Sequence, residues 1–273
     1  MLLKPAEMPT EEAKNLFKVQ RNKVIRGINL IDGVKIRLAS KEDLEDLNTI
    51  CLDRLGPTRK YSAQTFVLVK YLKGKTDFKF ELVMKNTVLA LRLLKGGYVS
   101  AGHIFHILLP EKHSLALTSL GERPKRRIGL EYVLDFEEIP TLRKILRRLQ
   151  TVDFTKRKSF ALSCKRFQRG YEEEDLEDRL IDFMIALEAL FLRGEKGGLS
   201  SGRIIAVACS TLLGKTDEER EQIRQLLSEA YEMRNYIVHG AEYKKKSDDV
   251  YYIPELVSKV EDYLRESIKK LLD

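Results

Sequence analysis

The sequence predicts a mainly α protein in which a smaller α+β domain precedes a C-terminal up-and-down helical bundle. Three observations predict it. The chain has 273 residues, long for one domain and comfortable for two. Short alternating and β-branched runs mix with helical stretches up to about Val152. Beyond that point apolar residues recur at spacings of three and four, with short polar connections. We set the α+β domain at residues 1–153 and the bundle at 154–273.

In the first domain, Val34-Lys35-Ile36-Arg37-Leu38 alternates as a half-buried strand does. Ser40, followed by Glu42 and Asp43, reads as a helix start. Phe66 to Leu72 is aromatic and β-branched enough for a strand. Leu82 to Leu94 reads as a helix stopped by Gly96-Gly97. Tyr98 to Leu109 and Leu130 to Phe136 read as strands. Pro140 to Gln150 reads as a helix with Leu142, Ile145, Leu146 and Leu149 on one stripe.

Five helices are expected in the bundle. The first holds Phe160, Leu162, Cys164 and Phe167 and ends near Gly170. The second carries Leu176, Leu180, Phe183, Met184, Leu187, Leu190 and Phe191, ended by Gly194 and Gly197-Gly198. Ser200 or Ser201 caps a third, closed by Gly214. Thr216 and Glu219 form a capping box for the fourth, which runs through Ile223, Leu227 and Ala230 into the Arg234 segment. Pro254 opens the fifth, with Leu256, Val260, Leu264 and Leu271 facing inward.

At 43% hydrophobic and 33% charged, the chain can bury a core and stay soluble. The three cysteines, Cys51, Cys164 and Cys209, match no metal spacing and no disulfide framework. Met1 to Leu16 lacks the apolar core of a signal peptide, and no apolar run reaches a membrane span. A soluble, cytoplasmic protein is expected. His103 and His106 fall on opposite faces of a strand and do not read as a metal pair.

Charge is distributed unevenly. Residues 123–170 hold 14 basic and 5 acidic side chains, net +9, whereas residues 171–273 hold 15 basic and 23 acidic, net −8. The basic middle would attract a phosphate backbone, with Arg126, Arg127, Arg147, Lys165 and Arg166 as candidate RNA-binding residues. A solvated helix face is the plain alternative.

Three segments carry a family resemblance: Leu187-Glu188-Ala189-Leu190-Phe191, Ser201-Gly202-Arg203, and Tyr231-Glu232-Met233-Arg234-Asn235-Tyr236-Ile237-Val238-His239-Gly240. Together they resemble the Apea-like branch of HEPN domains, whose pattern is an arginine, four to six residues and a histidine. The resemblance covers roughly residues 155–273. It implies a HEPN-like bundle and metal-independent cleavage of RNA to a 2′,3′-cyclic phosphate, in a defence or stress system. It also implies catalytic Arg234 and His239, supported by Asn235, Glu188 and Arg203. No cofactor and no metal are expected. Some HEPN toxins of toxin–antitoxin pairs carry a tyrosine two residues after the histidine, modified by a partner nucleotidyltransferase. Here that position is Ala241, with Tyr243 nearby, so an antitoxin or nucleotidyltransferase partner rests on the wider resemblance alone.

The residue types suit that chemistry. RNA carries its own nucleophile, the 2′-hydroxyl, beside the scissile phosphate. Histidine can serve as base or acid near neutrality, and arginine can hold the phosphate oxygens while staying charged. At about 100° per residue, five steps put Arg234 and His239 roughly 140° apart around a continuous helix. Either Arg234 reaches around, or the helix opens before His239, which Gly240 favours. A histidine near a helix C-terminus gains preference for the imidazolium, which suits an acid. The remaining histidines, His103, His106 and His113, lie in the first domain. A base and an acid therefore call for a homodimer pairing two motifs.

The residues also admit plainer readings. Arg234 could pair structurally with Glu188 or Glu232, and His239 could cap a helix. Glu188, set in an apolar face, wants Arg234 or Arg203 as partner. Asn235 could contact a phosphate or cap the helix end. The alternative function is a non-catalytic module that binds RNA, a nucleotide or a partner.

Overall fold

The structure is a computed structural model. It describes residues 27–31, 33–38, 66–69, 79–97, 103–108, 113–119, 134–192, 200–240 and 252–272, with isolated positions at 41, 45, 99 and 132. These residues are mainly helical, with seven helices and five short strands among them. The chain divides into two compact units. One comprises Met1–Asn86, Ala101–Arg123 and Val133–Leu146; the other comprises Thr87–Ser100, Pro124–Tyr132 and Arg147–Asp273.

In the first unit, β1 (Ile28–Asn29), β2 (Lys35–Leu38) and β3 (Phe66–Val69) form an antiparallel sheet in that order. Ile36 is the register point, paired with Ile28 on one side and Leu68 on the other. Helix α1 (Lys79–Leu94) follows, starting three residues before the expected position; from Thr87 on it belongs to the second unit. Its residues from Asn86 to Leu93 are all buried, the polar Asn86, Thr87 and Arg92 among them. Strands β4 (His103–Leu108) and β5 (His113–Ser119) pair antiparallel, with a register irregularity between His106 and Ile107. Sequence reading missed β5. Leu130 to Phe136 is not a strand at its described positions. Tyr132, Leu134 and Asp135 are irregular, and Phe136–Glu138 is a 3₁₀ turn. The backbone N–H of Asp135 donates to Glu138 at 2.9 Å, so the segment serves as the entry to the next helix. That helix, α2 (Ile139–Thr151), which passes into the second unit at Arg147, buries Leu142, Ile145, Leu146 and Leu149, the stripe read from sequence. Most of the expected helix start at Ser40, and Gly194 with Gly197-Gly198, lie outside the described residues.

The second unit is built on α3 (Lys158–Glu172), α4 (Leu176–Phe191), α5 (Ser201–Leu213), α6 (Asp217–His239) and α7 (Tyr252–Leu272). Helix α4 packs against each of the other four. Its Leu180, Phe183, Met184 and Leu187 are fully buried, each worth about 1.5–3 kcal/mol of apolar burial. Asp175 caps it, accepting from the backbone N–H groups of Glu177 and Asp178. Helix α3 ends at Glu172, near Gly170 as expected. Gly170 is required by the packing: a Cβ there would lie 2.7 Å from the Phe183 ring. The Thr216–Glu219 box is only half formed. Thr216 Oγ1 accepts from the Glu219 N–H, but Glu219 reaches past Thr216 to accept from the Lys215 N–H. In α7, Leu256, Val260 and Leu264 are buried as expected, while Leu272 rather than Leu271 completes the inner face.

Two buried arginines tie this unit together. Arg92 donates to the Val99 carbonyl at 3.1 Å and to Glu172 at 2.9 Å, and lies over the Tyr171 ring. Arg265 donates through Nε to the Arg92 carbonyl at 2.9 Å, and also bonds Glu261 and Asp262. Both are almost fully enclosed, so these partners offset the cost of burying their charge.

Candidate functional site

The segment Arg234 to Gly240 closes α6. Ile223, Leu227, Ala230 and Met233 are buried at spacings of three and four, and this stripe holds the helix against its neighbours. The helix stays closed through His239 and ends at Gly240, whose φ of 64° and ψ of 26° are left-handed. Its N–H donates back to the Ile237 carbonyl at 3.2 Å. The expectation that the helix opens before His239 is therefore corrected: it opens one residue after. A glycine pays no Cβ penalty in that conformation, so the break falls on it and not on the histidine.

Continuity of α6 separates the two key side chains. Arg234 turns toward α4 and is half-buried. Its Nη2 lies 3.8 Å from Glu188 Oε1, and its Nη1 donates to Asn235 Oδ1 at 3.1 Å. Its Nε is buried and meets no acceptor among the described residues. The guanidinium carbon stands 5.8 Å from the centre of the Tyr231 ring. Tyr231 is itself set by Gly202 of α5, where a Cβ would fall 2.7 Å from the ring. Three helices thus fix one cation: α4 supplies the carboxylate, α5 the close approach, α6 the arginine and its aromatic support. Of the two partners expected for Glu188, the structure pairs it with Arg234, while Arg203 is exposed on α5.

His239 is exposed at the last position of α6, flanked by exposed Tyr236 and Val238. It carries the plain geometry of a surface imidazole at a helix C-terminus. On one continuous helix it stands roughly 140° around from Arg234. The arrangement in one chain holds a half-buried guanidinium and, separately, an exposed imidazole.

The candidate RNA-binding residues divide. Arg147 on α2 and Lys165 on α3 are exposed. Arg166 is not free: it is half-buried and donates to Asp182 at 2.8 Å, with Arg169 on the other carboxylate oxygen at 3.2 Å. Asp182 is buried in α4 and needs that charge, so the structure shows Arg166 engaged with this carboxylate. Arg126 and Arg127 lie outside the described residues.

Sequence reading missed Tyr231 as the support under Arg234. It also missed Arg92, Asp182 and Arg265. For Arg92 and Asp182 the signal was present, since each is a charge within an apolar helical run, as Glu188 is; Arg265 follows Glu261 and Asp262 and precedes Glu266, so its burial carried no such signal.

Cys164 and Cys209 are buried, and burial pushes their thiols up to about 12 and about 11, leaving them protonated at neutral pH. Among the described residues no group of three metal-ligating side chains comes together, and no helix is long and apolar enough to cross a membrane. Compared with protein-family models, with curated proteins and with solved structures, the chain matches none.

Proposed function

We propose that the chain is a metal-independent endoribonuclease whose helical unit is HEPN-like. The observation that carries this reading is the half-buried Arg234, held by Glu188 and Asn235 with its Nε unspent, five residues before an exposed His239 at a glycine-terminated helix end. In the reaction, a base removes the 2′-hydroxyl proton as the 2′-oxygen bonds to phosphorus. The bond from phosphorus to the 5′-oxygen then breaks, and an acid protonates that oxygen. Arg234 holds the phosphoryl oxygens as their charge builds, a role worth about 3–4 kcal/mol for one well-placed donor. His239 supplies proton transfer.

One imidazole cannot occupy both faces of the phosphorus at once. Two copies of the chain, joined through the helical unit, would offer two Arg234–His239 sets to one cleft, with one His239 as base and the other as acid. The separation of roughly 140° on a continuous α6 favours this arrangement over catalysis within one chain. The same separation favours the second reading, a module that binds RNA, a nucleotide or a partner without cleaving. The distinguishing experiment incubates the protein with mixed RNAs in EDTA, beside His239→Ala, with sedimentation of both. Cleavage by a dimer, lost in the variant, is the expected result. Binding without cleavage, unchanged in the variant, would establish the second reading instead.

A further inference from the structure

From Ile139 to Tyr171 the chain has ten basic residues and one acidic residue, Asp153. The structure sorts these cations by what they already hold. Arg143 donates to the Asn29 carbonyl, and Lys156 pairs with Asp153 at 3.6 Å. Arg157 donates to the Leu271 carbonyl and lies over Phe160. Arg166 and Arg169 share Asp182. On α3, Lys158 and Lys165 remain, both exposed and neither meeting an acceptor among the described residues.

Their positions are ordered. Lys158, Leu162, Lys165 and Arg169 are spaced at four, seven and eleven, which brings them within about 60° on one face over roughly 16 Å of helix. Leu162 is 42% exposed, an apolar contact between the two lysines. The opposite face, through Phe160, Cys164 and Phe167, is buried, so the stripe is carried on a rigid element. No carboxylate interrupts α3 before Glu172.

We infer that this face of α3 is a docking stripe for the sugar–phosphate backbone of single-stranded RNA, with Lys158 and Lys165 each neutralising a phosphate and Leu162 resting against the intervening nucleoside. This rests on RNA being the substrate, and it replaces Arg166 by Lys158 among the residues that hold it. Charge complementarity selects the occupant: Lys158 and Lys165 are spaced point cations with no carboxylate between them, while Arg169 at the end of the stripe is held by Asp182 and Glu173, and this suits a polyanion read without sequence.

The test measures anisotropy of a labelled uridine 20-mer with full-length protein bearing His239→Ala, across a KCl series. A second protein adds Lys158→Ala and Lys165→Ala, and a third adds Leu162→Glu. Each lost phosphate contact on a single strand lowers the slope of log K against log salt by about 0.7, so the double lysine change is expected to lower it by about 1.4. Leu162→Glu, at an exposed site, is expected to weaken binding with an unchanged melting temperature. An unchanged slope overturns the stripe, and if the wild-type chain still cleaves RNA, the nuclease reading survives that result. A stripe-dependent slope with a wild-type chain that never cleaves supports the stripe and removes the nuclease reading. Absence of RNA binding, with lysine-dependent binding to phosphatidylserine vesicles instead, overturns the stripe as an RNA surface.

Discussion

Gly202 and Gly170 make a matched pair of perturbations. At both, a Cβ would sit 2.7 Å from an aromatic ring carbon, Tyr231 in one case and Phe183 in the other. Replacement by alanine gains up to about 1 kcal/mol of helix propensity and loses about 1–3 kcal/mol to overpacking. A net destabilisation of roughly 1–2 kcal/mol is expected for each, or roughly 2–4 °C in melting temperature per kcal/mol. Their consequences for the site differ. At Gly202 the added methyl also comes within 3.1 Å of Tyr231 Cβ, so rotating the ring cannot relieve the clash. The Tyr231 side chain must move, and Arg234 rests over it. A misplacement near 1 Å at a reacting phosphate costs on the order of 100-fold in rate. Gly202→Ala is therefore expected to remove most RNA cleavage at a temperature where it is fully folded. Gly170→Ala should keep it at equal loss of stability. Urea unfolding and initial cleavage rates measure both. Equal activities in the two variants would refute the idea that α5 positions Arg234 through Tyr231.

Three further outcomes follow from the packing. Arg265→Met removes the guanidinium beside buried Glu261 and the donor to the Arg92 carbonyl; about 3–5 kcal/mol should be lost in urea unfolding, and a loss under 1 kcal/mol would contradict the network's role. Asp153, Glu218 and Glu221 have carboxyls held below their ordinary values, first by Thr155, by backbone N–H bonding at Glu218, and by Arg224 respectively. Groups depressed by folding stabilise it while ionised, so their contribution is present at neutral pH and fades as pH falls through the depressed values. Thr155→Val should shrink the loss of stability between pH 7 and pH 3, and an unchanged loss would exclude Asp153 from it. In a Cys51→Ser background, Cys164 and Cys209 should resist a thiol reagent at pH 7.5 until the chain unfolds, since both are buried and Cys209 also sits 3.5 Å from Ser267 Oγ; rapid labelling of the folded protein would contradict their enclosure.

The helical unit was the most legible part of the chain. Repetition at three and four over Leu176 to Phe191 and over Ile223 to Met233 has one solution, and both helices form where that period runs. Glycines were harder, because composition does not say why a glycine is present. Gly240 is a conformational cap, whereas Gly170 and Gly202 sit inside helices to admit a neighbouring ring. Strand β5 escaped because His113–Ser119 has only a short alternation, and its pairing with β4 is a property of the hairpin rather than of either segment. At the candidate site, the Glu188–Arg234 pairing was readable from a carboxylate on an apolar face. That α6 would stay closed through His239 was not, since the αL residue and the last helical residue differ by one position.

The central proposal is that the chain cleaves RNA by attack of the RNA's own 2′-hydroxyl, through Arg234 and His239. The most direct measurement offers a short RNA, and the same strand with 2′-deoxy sugars throughout, to the protein in EDTA, and reads the new ends by mass. The account predicts that the RNA yields fragments ending in a 2′,3′-cyclic phosphate and a 5′-hydroxyl, and that the deoxy strand stays whole. Cleavage of the deoxy strand, or fragments bearing a 5′-phosphate and a 3′-hydroxyl, would contradict it.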